Sequence, residues 1–237
     1  MSNSSLPLSG KVALVTGACR GIGKGIALEL ASLGSAVTLT YVSQSGEPLV
    51  NEICQTIESL PHKPRTYALR VDLSTIDEAQ LLIRSLADWT ENKLKIDILV
   101  NNAAVEFYNL NVRGTMLLTQ AILPYLNDNG RIVNIGSVGA RKGFKDLGLY
   151  CCSKAALEGL TRVWAAELGG NGTTANCVEP GPIQSDMLEN IPKDIVALQK
   201  ALTPIGNRLG TVPEVASIDG AWITGQSISA TGGYAMY

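Results

Sequence analysis

The chain has 237 residues, of which 46% are hydrophobic and 24 are glycine, enough for one large α/β core or two small ones. Its net charge is −2 with no long basic run, so the composition offers no electrostatic basis for binding nucleic acid. We predict no membrane segment and no signal peptide. Five cysteines without C-x-x-C pairing favour free thiols and a cytoplasmic location.

The first predicted element is a buried parallel strand, Lys11–Thr16, which leads into a glycine-rich turn. A helix is predicted to follow over Ile22–Leu33. A strand, a glycine turn and a helix in this order are typical of a phosphate site. Glycines at 17, 21 and 23 let the backbone approach a pyrophosphate, and the helix N-terminus supplies N–H donors. A tight turn whose glycines serve packing alone is the alternative, and both flanking elements favour the cofactor site.

The second predicted strand, Ala36–Tyr41, indicates which dinucleotide would bind. In a dinucleotide fold an acidic residue near this point binds the ribose 2′-hydroxyl and repels a 2′-phosphate. No Asp or Glu is found there, since the chain continues through Val42 and Ser43. Arg20, inside the glycine turn, offers a guanidinium suited to a phosphate, although a solvated surface arginine is the alternative. Both features favour NADP(H) over NAD(H).

The rest of the chain alternates between predicted helices and strands. The helices are predicted at Gly46–Leu60, Thr75–Trp89, Leu110–Leu126 and Tyr150–Leu168. The strands are predicted at Arg65–Val71, Ile96–Val100, Arg131–Ile135 and Thr173–Val178. This alternation indicates an α/β fold, a Rossmann-type doubly wound parallel sheet of about seven strands with helices on both faces. Because no repeat or linker divides the chain, we predict a single domain over residues 1–237.

The candidate functional residues share one position in this pattern: each follows the carboxyl end of a predicted strand or lies on the next helix. They are Gly17–Gly23, Asp72, Asn101, Ser137 and Pro180–Gly181. In open parallel sheets this edge is where ligands bind. Taken singly, each residue could be an ordinary helix cap, turn former or helix breaker. Their order and spacing together indicate one site.

Tyr150 and Lys154 are four residues apart on a predicted helix, so both side chains lie on one face. An ammonium near a phenol stabilises the phenolate and lowers the phenol pKa toward the working pH, which suits proton transfer. The spacing alone is weak evidence, because Tyr and Lys often meet in this way by chance. The motifs on either side give it weight.

Together these motifs resemble the short-chain dehydrogenase/reductase family over nearly the whole chain. The matching segments, in the family's order, are Thr16–Gly23, Asn101–Ala104 (N-N-A-G with Ala for Gly), Asn111, Ser137, Tyr150 with Lys154, Pro180–Gly181 and the tail from Thr224 to Gly233. The resemblance implies an oxidoreductase that transfers hydride between NADP(H) and a ketone or secondary alcohol. It is strongest toward carbonyl reductases of polyketide or oxoacyl-type substrates. It also implies a homo-oligomer, a dimer or tetramer.

The resemblance assigns roles to the candidate residues. It implies that Tyr150 donates a proton to the substrate carbonyl oxygen while Ser137 hydrogen-bonds the same oxygen. It implies that Lys154 lowers the Tyr150 pKa and holds the nicotinamide ribose, and that Asn111 positions a relay water. The cofactor-binding residues it implies are Gly17, Arg20, Gly21, Ile22, Gly23, Tyr41, Ser43, Asp72, Leu73, Asn101, Ala103, Tyr150, Lys154, Pro180, Gly181, Ile183 and Ser185. No metal site is expected.

Two stretches, 105–108 and 217–221, are shorter than the family pattern. Either the chain is truly trimmed there or the printed sequence omits residues, and we favour omission because both cuts fall in helices that normally pack on the sheet. Met187, Leu188, Ile191 and Ile195 suggest an apolar lid, which favours a hydrophobic or aromatic ketone.

Other chemistries fit the sequence less well. A serine hydrolase needs a histidine to activate Ser137, and the only histidine, His62, precedes it in a proline-flanked turn. A P-loop kinase needs G-K-[ST] after the glycines, which the chain lacks. The main alternative is an NADP(H)-binding sensor or scaffold of the same fold without turnover. The presence of all four catalytic residue types favours the enzyme.

Overall fold

The computed structural model describes residues 6–104, 108–185, 191–216 and 223–235. Its strands are β1 (Val12–Val15), β2 (Ala36–Tyr41), β3 (Thr66–Arg70), β4 (Ile96–Asn101), β5 (Leu126–Ile135), β6 (Thr174–Pro180) and β7 (Ser227–Ala230). They form one seven-stranded sheet in the order β3-β2-β1-β4-β5-β6-β7, and every neighbouring pair is parallel. The predicted Rossmann-type sheet is therefore confirmed.

Helices connect successive strands. The α-helices within the described residues are α1 (Gly21–Ser32), α2 (Glu47–Glu58), α3 (Ile76–Trp89), α4 (Thr115–Ile122), α5 (Gly139–Lys142), α6 (Gly148–Leu168), α7 (Lys193–Ala201) and α8 (Val212–Ala216). A π-helical segment, Asn109–Gly114, runs directly into α4. Within the described ranges, no helix combines the length and apolar character needed to cross a bilayer.

The central strand β1 shows why helices cover both faces of the sheet. Successive side chains of a strand point to opposite faces. Ala13 and Val15 pack into a core formed with α1 and α2, whereas Leu14 packs into a second core formed with α3 and α4. All three side chains are completely buried. Because β1 is buried on both faces, all its residues are apolar, which explains the continuous apolar run in the sequence.

The predicted helix Leu110–Leu126 is wrong at both ends. Its first residues form the π-helical segment, and α4 ends at Ile122. A 3₁₀ turn that contains Pro124 follows, because proline lacks the N–H that would continue the α-helix. Leu126, predicted to be helical, instead begins β5 and pairs with Ile96.

The order of the strands fixes where a ligand can bind. The chain moves outward from β1 through β2 to β3, then returns to the other side of β1 at β4. This reversal leaves a crevice between the carboxyl ends of β1 and β4, where loops lead away to opposite faces. Thr16 follows β1, and Asn101 ends β4, so both residues lie at this crevice.

Candidate active site

The turn between β1 and α1 has a left-handed backbone at two positions, which favours glycine. Gly17 and Gly21 have φ angles of +62° and +55°. A Cβ at Gly17 would lie 2.8 Å from the Cα of Ala103. A Cβ at Gly23 would lie 2.5 Å from both the Nδ2 of Asn102 and the carbonyl oxygen of Gly17. The turn is therefore packed directly against the segment that follows β4.

Thr16 and Asn102 lock these two segments together. The Thr16 hydroxyl accepts hydrogen bonds from the backbone N–H of Asn102 at 3.0 Å and of Ala103 at 2.9 Å. In return, the side-chain amide of Asn102 donates to the carbonyl oxygens of Thr16 at 2.8 Å and Gly17 at 2.9 Å. The sequence prediction did not give Asn102 a role, although it lies in the recognised N-N-A-A motif.

The N-terminus of α1 fits the phosphates of a dinucleotide. Arg20 occupies the N-cap position without a side-chain hydrogen bond to the helix, and the first turn contains no acidic residue. The first N–H groups of the helix are thus not capped by its own N-cap side chain, and the helix dipole favours an anion there. A Cβ at Gly21 would meet only Ser185, at 3.9 Å, so the space in front of this turn is open.

The carboxyl end of β2 lies beside the glycine turn. A Cβ at Gly46 would lie within 3.4 Å of Tyr41, Ser43 and Cys19, which brings the end of β2 to the residue before Arg20. Arg20 and Ser43 are exposed, whereas Tyr41 is buried. These positions suit an adenosine ribose whose 2′-substituent meets no carboxylate from β2.

Asp72 and Leu73 follow β3. Asp72 is exposed and accepts a hydrogen bond from the backbone N–H of Ser74 at 3.1 Å, while Leu73 is buried. Leu73 shares a small cavity of about 10 Å³ with Thr16, Asn101 and Ala103. The predicted adenine-side residues therefore lie along one edge of the crevice.

The side chain of Asn101 points into the protein. Its Nδ2 donates to the Thr119 hydroxyl at 3.2 Å and to Oδ1 of Asn134 at 2.9 Å. The Nδ2 of Asn134 in turn donates to Thr161 on α6 at 2.8 Å. This buried network ties β4 and β5 to α4 and α6.

The residues predicted to be catalytic are brought together at the ends of β5 and α6. Ser137 follows β5 and is 7% exposed; its Oγ accepts a hydrogen bond from the backbone N–H of Gly139 at 3.1 Å. Lys154 is 3% exposed, and its Nζ donates to the carbonyl oxygen of Ile135 at 2.7 Å. The same Nζ lies 6.0 Å from the centroid of the Tyr150 ring.

The electrostatics differ from the expectation that Lys154 lowers the pKa of Tyr150. Burial raises the Tyr150 pKa above its ordinary value, and side-chain hydrogen bonding with Ser137 only partly offsets this. Burial also lowers the pKa of Lys154 to about 8. Lys154 is not among the groups that shift the Tyr150 pKa, since its ammonium donates to the Ile135 carbonyl oxygen and lies 6.0 Å from the centroid of the Tyr150 ring.

Asn111 reaches the same helix from the π-helical segment. Its Nδ2 donates to the Ser153 hydroxyl at 2.9 Å, and that hydroxyl donates to the carbonyl oxygen of Tyr150 at 2.7 Å. Asn111 is 1% exposed, and Ser153 is fully buried. The Ser153 hydroxyl therefore connects the side chain of Asn111 to the backbone of Tyr150.

The segment after β6 closes the other side of the crevice. The backbone N–H of Val138 donates to the carbonyl oxygen of Pro180 at 3.3 Å, which joins the Ser137 loop to β6. A Cβ at Gly181 would lie 3.0 Å from the Cα of Thr231, so the chain passes close to the C-terminal segment. Ile183 is buried and pairs with Gly210, and Ser185 lies nearest Gly21 across the crevice.

Two predicted features lie outside the described residues. Met187 and Leu188 of the expected apolar lid fall there. So do most of the two stretches that are short relative to the family pattern, at 105–107 and 217–221. Tyr108, the last residue of the first stretch, is helical and exposed.

Comparison with known proteins identifies the class. The family model described as short chain dehydrogenase matches residues 11–196. The chain is 34% identical to L-xylulose reductase of Aspergillus niger, over 97% of this chain and 98% of that protein. It is 32% identical to tetrahydroxynaphthalene reductase PfmaG of Pestalotiopsis fici, over 98% of this chain and 94% of that protein.

Among solved structures, the chain is similar to a blue fluorescent protein from a metagenomic library in complex with NADPH. The TM-score is 0.86 at 34% identity, covering 97% of this chain and 99% of that one. The chain belongs to the short-chain dehydrogenase/reductase family. The alignment with L-xylulose reductase spans 295 positions, more than the 237 residues of this chain, so the relative has residues that this chain lacks.

Proposed function

We propose that the protein is an NADP(H)-dependent reductase that converts a hydrophobic or aromatic ketone of polyketide or oxoacyl type into a secondary alcohol. The observation that carries the proposal is the convergence of Ser137, Tyr150 and Lys154 beside a glycine turn that fits a pyrophosphate. The two side chains that would meet a carbonyl oxygen, Ser137 and Tyr150, lie close enough to hydrogen-bond.

When bound, the dinucleotide supplies the hydride that reaches the carbonyl carbon. Ser137, held by the N–H of Gly139, donates a hydrogen bond to the carbonyl oxygen and orients it. Tyr150 then gives its phenolic proton to that oxygen, which completes the alcohol. A raised pKa keeps this phenol protonated at neutral pH, and the protonated form is the one that reduction requires.

Lys154 restores the proton that Tyr150 loses. Its pKa of about 8 lies close to neutral pH, so the ammonium can release a proton without a large free-energy cost. Asn111, through Ser153, holds the backbone of Tyr150 in place and would position a water that links Lys154 to solvent. A family member without turnover would have no need to keep this arrangement.

The choice of NADP(H) rests on the surroundings of the 2′-position. Arg20 is exposed at the start of α1, Ser43 is exposed at the end of β2, and no carboxylate of β2 competes for the ribose. The residues that would hold the nucleotide are the glycine turn, Arg20, Tyr41, Ser43, Asp72 with Leu73, Asn101 with Ala103, Lys154, and the segment Pro180–Ser185. The NADPH complex of the structural relative supports the same cofactor.

Exposed apolar side chains in two segments that follow Ser137 and Pro180 along the chain support the substrate class. Exposed residues of this kind are Leu147, Leu149, Ile195, Leu198, Leu202 and Ile205. They belong to the segment after α5 and to the segment around α7, which follow Ser137 and Pro180, respectively. Such a surface favours an aromatic ketone like that named in the tetrahydroxynaphthalene reductase over a sugar like L-xylulose.

The test is titration with NADPH and NADH by fluorescence, followed by oxidation of the preferred nucleotide against aromatic, polyketide-like, oxoacyl and sugar ketones. Tyr150→Phe removes the proton donor and preserves the ring, so it should bind nucleotide normally and lose turnover. Nucleotide binding without turnover of any ketone or alcohol would support the sensor or scaffold. Equal turnover in the variant would refute the assignment of the acid.

We also propose a cytoplasmic homo-oligomer, a dimer or tetramer. The cytoplasmic location is supported by the five cysteines, all of which are free thiols. A monomer in light scattering at micromolar concentration would refute the oligomer.

A further inference from the structure

Three charged residues join the elements that carry the catalytic side chains; we name them the Arg141 cluster (Arg141, Glu158 and Glu179). The Nε of Arg141 lies 3.4 and 3.3 Å from the two carboxylate oxygens of Glu158, and its Nη2 lies 3.2 Å from Oε2. The same Nε lies 3.6 Å from Oε1 of Glu179. Glu158 is 7% exposed and Glu179 is completely buried. One guanidinium thus contacts two buried carboxyl groups.

Each member of the cluster lies next to a residue of the proposed site. Arg141 is on α5, the short helix that follows Ser137. Glu158 is on α6, one turn after Lys154 and on the same face. Glu179 immediately precedes Pro180 in β6. The cluster therefore connects the loop of the carbonyl-binding serine to both the catalytic helix and the segment that closes the crevice.

The surroundings of Glu158 and Glu179 favour one proton held between the two carboxyl groups. Both side-chain oxygens of Glu179 are buried, and no donor group of the described residues hydrogen-bonds them, so an ionised Glu179 would be buried without a hydrogen bond. Burial and the adjacent Glu158 together raise the pKa of Glu179 to about 7, and Arg141 and Ser227 offset only part of this rise. Burial also raises the pKa of Glu158, but hydrogen bonding with Glu179 and Arg141 outweighs this and leaves it below its ordinary value. A hydrogen bond between two carboxyls needs one proton.

Three ionisable groups and one hydroxyl face the two carboxyl groups. The ionisable groups are Arg141 from α5, Arg162 from α6 and Cys177 from β6, and the hydroxyl is that of Ser227 from β7. Arg162 lies 3.7 Å from Glu158 and is 60% exposed, so solvent screens its charge. Cys177 has its pKa raised to about 12 by burial and by Glu179, so it stays neutral. Of these groups, Arg141 alone links the pair to the Ser137 loop.

We propose that Arg141 is a positioning residue for Ser137 and that loss of the proton shared by Glu158 and Glu179 loosens this positioning. With one proton, the pair carries one negative charge, which holds Arg141 on Glu158. Without it, a second buried charge faces the first and draws Arg141 toward Glu179, which moves α5 and the serine loop. Reduction therefore slows as the pH rises through neutrality, for a reason separate from the titration of Tyr150 and Lys154.

The shared proton is tested first without activity, by infrared difference spectroscopy of the full-length protein between about pH 6 and about pH 9. The wild type should show a buried carboxylic-acid C=O band that disappears at the higher pH. The band should be absent from Glu179→Gln, which keeps the shape and removes the titration. An unchanged band in this variant, or no such band in the wild type, would overturn the shared proton.

The positioning role rests on the proposed reductase function and is tested by kinetics on the best ketone of the panel. Arg141→Ala should lower kcat by about tenfold with KM for NADPH within about twofold, and Arg141→Lys should recover part of the loss. The matched control is Arg162→Ala, which removes a contact to the same carboxylate without touching the serine loop, and should stay within about twofold of wild type.

The pH profile separates this role from a merely structural one. In Glu179→Gln, the fall of kcat around neutral pH should be absent, while any change due to Lys154 at higher pH should remain. Equal losses in the Arg141 and Arg162 variants, or an unchanged profile in Glu179→Gln, would overturn the proposal. If no ketone is reduced, the proposed function fails, whereas the infrared result still decides whether the proton is shared.

Discussion

Thr16→Val isolates the hydroxyl that holds the glycine turn against the end of β4. Valine has nearly the same shape as threonine, so the packing of this 2% exposed side chain is preserved. The substitution removes the acceptor of two backbone N–H groups, those of Asn102 and Ala103. It also removes a weaker donation to the carbonyl oxygen of Val100 at 3.3 Å.

The cost follows from the two N–H groups. A buried donor left without an acceptor costs roughly 1–3 kcal/mol. Asn102 and Ala103 are only partly buried, so water can reach them in part and the lower half of this range applies. For two donors we expect a loss of roughly 2–4 kcal/mol in the free energy of unfolding. NADPH binding should weaken as well, because Gly17 is positioned by the same contacts.

Thr38→Val is the matched control. Thr38 is equally buried, but its hydroxyl only donates to the carbonyl oxygen of Ala13 at 2.8 Å and accepts from no backbone N–H in the described contacts. We expect it to cost roughly 0.5–1.5 kcal/mol. Urea denaturation of both variants measures how much unfolding free energy each one loses relative to wild type. Losses within about 0.5 kcal/mol of each other would refute the view that the two N–H groups depend on Thr16.

Three further outcomes are expected. Gly23→Ala should abolish NADPH binding in a fluorescence titration, because its Cβ would meet Asn102 at 2.5 Å, whereas Gly159→Ala has open space and should bind normally. Arg20→Ala should weaken NADPH by at least about fivefold and leave NADH unchanged; equal effects would refute a 2′-phosphate contact. Lys154→Met should lose turnover. The Lys154 pKa is about 8 in the folded chain and 10.5 in the unfolded chain, so between these pH values the unfolded chain binds more protons than the folded chain. The difference in unfolding free energy, wild type minus variant, should therefore rise by about 3 kcal/mol across this window. A flat difference in urea titrations across that range would contradict the lowered pKa.

The strands and the glycine turn could be predicted because their causes are local. An uninterrupted apolar run such as Val12–Val15 is what a strand buried on both faces requires, and glycines at 17 and 21 mark left-handed backbone. The end of α4 could not be predicted in the same way. Pro124 is a local signal against a continued helix, but Leu123, Tyr125 and Leu126 continue the apolar pattern, and the start of β5 at Leu126 depends on its pairing with β4.

The electrostatics of the site could be predicted only in part. The four-residue spacing of Tyr150 and Lys154 predicts that both lie on one face of a helix, but it does not say that a backbone carbonyl of β5 engages the lysine. Arg141, Glu158 and Glu179 come from separate elements and match no short motif. The one local signal was Glu179 itself, an acidic residue inside an otherwise buried strand, which implies a nearby partner.

The π-helical segment Asn109–Gly114 makes the direction of the Asn111 side chain sensitive to chain length. A π-helix holds one more residue per hydrogen-bonded turn than an α-helix. Deleting one residue here would let the segment continue as regular α-helix into α4, and everything before the deletion would rotate by about 100° about the axis. Asn111 would then turn away from Ser153, and the link to Tyr150 would break. An insertion or deletion at this point would change the active site even though it alters no catalytic residue.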